Sequence, residues 1–536
     1  MQQKFSLKLL PSQAADEAVV RQVLSQASGK KLTDISGYHI LKRSIDARAK
    51  TVWINLTVNA FISEPIKQRH LKKFNFKDVT NTKRKVVIIG GGPAGLFAAL
   101  SLIERGIKPV ILERGKEVRA RRRDLAVLNK EGIINPESNY CFGEGGAGTY
   151  SDGKLYTRSS KRGDVDRILQ LFVHFGAEEK IMYDAHPHIG TNKLPQIITA
   201  MRKQITECGG LFLFEKKVID FVINDDEIRA VKTVDENIYS ADAFILATGH
   251  SAREIYTLLN DKKLLLYRKP FALGVRVEHP QSLIDKIQYR SPLQIPNHRD
   301  LKNSWSLPPA SYSLVEQLDN RGVFSFCMCP GGIIAPASTE EGELVVNGWS
   351  PSKRNNPYAN SGVVVQVEIN DALNEMKSEK IKIKSDDPLV LMQFQKLVEQ
   401  KSFKAGGGKF VAPAQRMIDF VENKVSSSLP LCSYLPGILA ADLKKVLPDF
   451  IFRSLQRGFK SFGKKMKGYY TNDAVVVATE SRTSSPVRIP RDVDTLAHPQ
   501  LKNLYPCGEG AGYAGGIVSA AMDGENVALQ IAKVYS

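Results

Sequence analysis

Six consecutive residues, Gly90-Gly91-Gly92-Pro93-Ala94-Gly95, have the types and spacing that hold a pyrophosphate. They match GxGxxG at Gly90, Gly92 and Gly95. The first glycine permits a tight turn, the second lets backbone approach phosphate oxygens, and the third lets a helix pack close to a strand. A helix N-terminus behind the turn adds free N–H groups and a positive dipole end. Glu113 follows about 20 residues on, where an acid accepts from a ribose 2′-hydroxyl. Elsewhere, His186 and His188 flank Pro187, and a histidine near neutral pKa can serve as a base or stand idle in a loop. Asp152 and Lys154 could exchange protons or form a buried pair. Arg482 could clamp an anion bidentately or make a structural salt bridge. Cys327 and Cys329 alternate on a predicted strand, so both point to one face, as a redox pair or as ordinary packing. No His/Cys/Asp cluster has metal-ligand spacing, so no metal is expected.

The elements that must position these groups are legible. Lys85 to Ile89 is a short apolar, β-branched run, as a buried parallel strand requires. Leu96 to Glu104 reads as a helix, and Pro109 to Leu112 as a second strand ending at Glu113. Strand, glycines, helix, strand and acid form one βαβ unit. Gly143 to Gly148 and Gly510 to Gly515 match the same glycine pattern, but the first follows no apolar strand and opens no helix, and the second opens a helix with no second strand and acid after it. Residues 1–80 read as a small α+β unit, with strands at Phe5–Leu10, Ile40–Ile45 and Val52–Phe61 and a helix at Ala15–Ser28. The nucleotide fold is expected over 84–268 and again over 467–536. A domain rich in Pro and Gly, with helices near 365–380, 388–402 and 440–460, is inserted over 269–466.

A chain of 536 residues is long enough for two or three such domains. No run of 18 or more apolar residues occurs, and the first residues lack the apolar core of a secretory signal. Six scattered cysteines form no disulfide framework, which points to a reducing, cytoplasmic setting. The net charge of +19 attracts anions. Its clusters, Lys67–Lys73 and Arg119–Arg123, read first as solvated faces and a linker, and second as a nucleic-acid surface.

Val87 to Leu96 with Leu112-Glu113-Arg114 resembles the first nucleotide segment of the two-domain FAD oxidoreductases. Ile245-Leu246-Ala247-Thr248-Gly249 resembles their second signature, and Asn503 to Gly512 their C-terminal one, with Gly508-Glu509 where Gly-Asp is more usual. Further stretches, among them Phe142 to Leu155, Cys327 to Gly332, Asn347 to Ser350 and Glu480 to Arg488, resemble a narrower group. These are large bacterial FAD-dependent dehydrogenase-like proteins with an extra N-terminal domain. The resemblance implies an α/β, Rossmann-type FAD-binding fold with an inserted α+β substrate domain. It implies FAD held non-covalently by Gly90, Gly92, Pro93, Ala94 and Gly95, then by Glu113, Arg114 and Val218. Thr248, Gly249, Gly508, Glu509, Gly515, Gly516 and Ile517 complete that set. The loop residues Gly145, Gly146, Ala147, Thr149 and Ser151 are expected over the flavin ring. Arg482, His188 and Lys154 are the catalytic candidates. NAD(P)H would be a transient donor, because no second complete dinucleotide site follows. The expected function is oxidation or reduction of a small molecule held between the flavin domain and the insert. The alternatives are a flavoprotein acting on RNA and a non-catalytic redox sensor.

Overall fold

The computed structural model describes residues 1–157, 162–290 and 307–535. Lys85–Ile89 buries every residue but its first, so it needs apolar cover on both faces. It is the central strand of a five-stranded sheet ordered Leu504–Pro506, Ala243–Leu246, Lys85–Ile89, Lys108–Leu112, Leu211–Leu213, with every pairing parallel. Val86, Ile88 and Ile111 pack under the helices Pro93–Glu104 and Ile517–Tyr535. Val87, Ile89 and Leu112 face the helix Arg253–Asp261 and an antiparallel meander of Val218–Asn224, Glu227–Thr233 and Ile238–Ser240. The two covering helices approach so closely that a Cβ on Gly524 would stand 2.1 Å from the Ala94 carbonyl oxygen.

The inserted part forms a second, seven-stranded sheet. Its order is Val315–Leu318, Arg321–Pro330, Tyr358–Val367, Phe271–Pro280, Val475–Glu480, Ala412–Arg416, Ile438–Ala440. The expected return to the nucleotide fold at 467 therefore comes later. Val475–Glu480 pairs antiparallel with Phe271–Pro280 in the second sheet, because its six residues are all buried and need partners on both sides. Helices Ile369–Ser378 and Val390–Ala405 match two of the expected helical stretches, and the third, expected over 440–460, begins only at Asp449 and runs to Lys465.

The N-terminal unit is three antiparallel strands, Gln2–Leu9, Trp53–Ile62 and Ile35–Asp46 in spatial order, with a helix at Glu17–Ser28. That helix starts two residues later than expected because Asp16 caps it, accepting from Ala18 N (2.9 Å) and Val19 N (3.3 Å). Its buried Val20 and Leu24 join one continuous core with the second sheet. Arg43 fixes the unit to the nucleotide domain through a bidentate pair with Asp184 (2.7 and 3.0 Å). The basic segment after it is a strap across the nucleotide domain. Phe74 and Phe76 pack on His174, while Arg69 and Lys72 meet Glu179 (3.5 Å) and Asp164 (3.2 Å). Among the described residues no helix is long and apolar enough to cross a membrane.

Glu278, on the second strand sheet's Phe271–Pro280, is buried and accepts from Ser433 N (2.7 Å) and the Ser433 hydroxyl. Burial outweighs those hydrogen bonds and pushes its pKa up to about 7. Between the unfolded carboxyl value and about 7 the folded chain holds the extra proton, so stability falls as pH rises through that window. Glu278→Gln should flatten the decline. Its effect should be more favourable at pH 8 than at pH 5 by up to ~3 kcal/mol. Urea midpoints at the two pH values check this, and an unchanged slope refutes it.

Candidate functional site

The Lys108–Leu112 strand delivers Glu113 into a cluster of glycines. Its carboxylate accepts from Gly91 N (2.8 Å), Gly115 N (2.9 Å) and Gly143 N (2.9 Å), and the residue is only 4% exposed. A carboxylate offers about four lone-pair positions, and three are taken. The acid expected to meet a ribose thus first ties three backbone segments together and keeps one lone pair for a hydroxyl. Backbone must come this close because there are no side chains: a Cβ on Gly115 would stand 2.6 Å from Gly143 Cα.

The third segment is held from behind by Arg121. This residue is fully buried and donates to the carbonyls of Asn139 (2.8 Å), Glu144 (2.8 Å) and Tyr140 (3.0 Å). The charge run Arg119–Arg123 was expected to be solvated, and for Arg121 it is not. The available signal was helical spacing, since Arg121, Leu125 and Leu128 are the buried residues of the helix Val118–Glu131. The loop they support turns through Gly143, Gly145 and Gly146 at φ of +118°, +78° and +58°. Gly145 N then donates to Gly91 O (2.9 Å), and the Thr149 hydroxyl donates to Glu144 O (2.6 Å). The second glycine motif is therefore folded directly against the first.

These segments form one wall of a cavity of about 420 Å³. Gly90, Gly92, Pro93 and Ala94 line it, as do Glu113, Arg114 and Val218. Thr248 and Gly249 follow the Ala243–Leu246 strand into it. Gly508, Glu509, Gly515, Gly516 and Ile517 reach it from the C-terminal segment, and Gly146, Ala147 and Ser151 from the loop. Gly95, Gly145 and Thr149 stand behind this wall. A Cβ on Gly95 would lie 2.1 Å from Gly90 O, which makes it the helix-packing glycine. Arg114 stacks on Phe142 (3.8 Å) and pairs with Glu137 and Glu254.

The wall fits FAD on its own geometry. A Cβ on Gly92 would meet nothing nearer than Gly146 Cα at 3.8 Å, and at Gly249, Gly515 and Gly516 nothing lies within 4 Å. At Gly249 the backbone itself favours glycine, at φ +71°; at Gly92, Gly515 and Gly516 packing does not require it, and the open space suits an approaching ligand. Two helices, Pro93–Glu104 and Ile517–Tyr535, open onto the same space with their N-termini, which favours phosphate and other negative charge.

The opposite wall comes from the inserted part and the end of the loop. Phe326 and Cys327 of the second sheet line it with Lys154, and so do Asn347, Gly348 and Trp349 of the strand Val346–Trp349, which pairs with Ile333–Pro336 in a separate two-stranded sheet. The Lys154 ammonium lies 3.5 Å from Asp152, 3.6 Å from Cys327 Sγ and 3.7 Å from Cys329 Sγ. Burial opposes its charge, but Cys327, Cys329 and Asp152 outweigh burial and raise its pKa. Glu509 also lines the cavity; burial, partly offset by Lys269, pushes its pKa up to about 7. His250, which the sequence reading passed over, lies 3.8 Å from it and is driven down to about 4, first by burial and then by Arg482.

Two catalytic candidates have other duties. His188 is not among the lining residues. Burial and then Arg354 push its pKa down to about 4, and its Nε2 meets Ser352 O at 3.2 Å. Its backbone bridges Lys154 and so braces the loop. Arg482 lines the cavity, but its guanidinium is engaged by Thr339 (2.8 Å), Glu399 (3.0 Å) and Glu343 (3.4 Å). Arg253 joins the same buried network, pairing with Glu343 (2.8 Å) and Glu399 (2.9 Å). Of the two roles open to Arg482, these contacts form the structural salt bridge.

Two substitutions separate scaffold from ligand contact. Gly92→Val should leave the melting temperature of the flavin-free chain within a few degrees of wild type. It should lose most bound FAD, read from the flavin-to-protein absorbance ratio. Arg121→Met strands three buried carbonyls at ~1–3 kcal/mol each, so it should lower both stability and FAD content.

Comparison with known proteins agrees with this geometry. The pyridine nucleotide-disulphide oxidoreductase model matches residues 84–268, and the FAD-dependent protein, C-terminal domain-like model matches residues 270–483. A domain of unknown function matches residues 1–61. The chain is 39% identical over 535 residues to an uncharacterized protein of Clostridium beijerinckii, covering 96% of each. Among solved structures it is similar to glycine oxidase from Bacillus cereus, at 13% identity and a TM-score of 0.29, covering 85% of this chain and 96% of that one. It is also similar to L-proline dehydrogenase from P. horikoshii, at 12% identity and a TM-score of 0.31, covering 84% and 94%. The chain belongs to the large FAD-dependent, dehydrogenase-like oxidoreductases that carry an extra N-terminal domain.

Proposed function

We propose that this oxidoreductase acts on a small molecule held between the glycine wall and the second sheet. The observation that carries this reading is that one cavity is lined both by the nucleotide turn and by Lys154, Cys327 and Trp349. In this reading Gly90 to Ala94 hold the FAD pyrophosphate and Glu113 accepts from a ribose hydroxyl. Arg114 and Val218 flank the adenosine end, and Gly508, Glu509, Gly515, Gly516 and Ile517 lie along the remainder. Gly146, Ala147 and Ser151 cover the ring. FAD held there non-covalently supplies two-electron transfer to or from the substrate.

The chain's own groups bind and manage protons. Lys154 is a fixed cation at the second-sheet end, so it favours a substrate with an anionic or electron-rich group. Glu509 can take or give a proton near neutrality, which Lys154 and His250 cannot. The N-terminus of the Ile517–Tyr535 helix stabilises negative charge developing nearby. Within the basic clusters that favour an RNA reading, Arg121 is buried and Arg69 and Lys72 are paired, so these three present less free charge to a polyanion.

An anaerobic stopped-flow scan of the flavin-loaded protein tests the proposal. Bleaching by NADH or NADPH would make a nicotinamide the transient donor; bleaching only by an oxidisable metabolite would make that metabolite the substrate. A flavin reduced by no member of a broad donor panel would overturn the reading. Once a donor is found, the reduction rate should inflect near pH 7, and Glu509→Gln should remove that inflection.

A further inference from the structure

In the Arg321–Pro330 strand the pairing runs from Phe326↔Gly362 to Cys329↔Asn360, so Cys327 and Met328 together oppose one residue. This is a β-bulge, a device that re-aims a side chain next to a site. Cys327 sits there at φ +48°, a left-handed conformation that a residue with a Cβ seldom adopts. The result is convergence. Lys154 Nζ is 3.6 Å from Cys327 Sγ and 3.7 Å from Cys329 Sγ. Cys327 is exposed to the cavity, whereas Cys329 is buried.

A second cation stands behind them. Arg276, fully buried, donates to Cys327 O (3.0 Å) and approaches Cys329 Sγ (3.5 Å), while Glu480 (2.9 Å) and Asn360 (3.0 Å) fix its guanidinium. A cysteine that only packs sits among apolar atoms and needs no cation. At Cys507 burial, and then Asp523, outweigh Arg491 and drive the pKa up. Cys327 does the opposite. The hydrogen bond from Cys329, and then Lys154 and Arg276, draw it well below the thiol range, against burial and Asp152. Glu509, on the dinucleotide wall, also senses its charge.

We propose that Cys327 and Cys329 are a redox-active dithiol that exchanges an electron pair with the bound flavin, with Cys327 the accessible sulfur and Lys154 its fixed countercharge. The proposal rests on the FAD reading of the same cavity. Joining Sγ to Sγ releases two electrons, the proton of Cys329, and that of Cys327 when it is protonated. FAD takes up two electrons and two protons in becoming FADH₂, the balance of protons coming from water. The reverse restores the dithiol.

The test is an anaerobic dithionite titration of the oxidised, flavin-loaded protein beside Cys327→Ser and Cys329→Ser. Wild type should take up two two-electron equivalents per flavin, and each variant one. Alkylation followed by mass spectrometry on unmutated chain covers the case in which a variant misfolds. After oxidation the peptide carrying both cysteines should be two hydrogens lighter and resist alkylation. After reduction Cys327 should be labelled before Cys329, and Lys154→Met should slow that labelling at pH 7 about tenfold. Wild type reduced by a single equivalent, with both thiols free after oxidation, overturns the dithiol and leaves the FAD reading intact. A chain that takes up no FAD overturns the cavity reading itself.

Discussion

Everything about the site depends on one carboxylate. Glu113 accepts N–H groups from Gly91, Gly115 and Gly143, and so pins the nucleotide turn, the end of the second strand and the covering loop to one point. Hydrogen bonds to an ionised acceptor are the strong kind, and in a buried place an unmade one is expensive. The clamp works only because those partners lack Cβ atoms. Gly115 and Gly143 come within side-chain exclusion distance of each other, and Gly91 packs its face on Phe212. Removing this acid would cost the wall its shape.

The other half of the site is built differently. Buried cations are paired with carboxylates: Arg276 with Glu480 within the second sheet, and Arg253 and Arg482 with Glu343 and Glu399 beside it. Burial alone would raise the pKa of Glu399, but the two arginines win and hold it down at about 2. Such networks add little net stability, yet breaking one member leaves a buried charge unpaired. Their value here is positional. Arg276 fixes the Cys327 carbonyl, and the Arg253–Arg482 network joins the helix Arg253–Asp261 of the nucleotide domain to the helix Val390–Ala405 of the insert.

Local features were legible where the responsible forces are local. The βαβ unit at 85–113 and the strands and helix of the N-terminal unit follow from apolar periodicity and turn chemistry within a few residues. Arg121 was hidden by its charged neighbours, although Leu125 and Leu128 share its face. Val475–Glu480 reads as a buried strand, but its sequence carries no mark of which sheet it joins. His188 and Arg482 looked available because their partners, Ser352 and the pair Glu343 and Glu399, lie more than 80 residues away.

The sequence by itself determined the dinucleotide turn, the acid that serves it and the likeness to FAD oxidoreductases, because glycine spacing and strand composition act over short distances. Tertiary structure decided which charged groups are spent on the scaffold and which face the cavity. It set Lys154 between two sulfurs from a strand some 170 residues away and tied Arg482 to carboxylates of the insert. A side chain's chemistry depends on burial and on its nearest charges, and those are fixed only when distant segments meet.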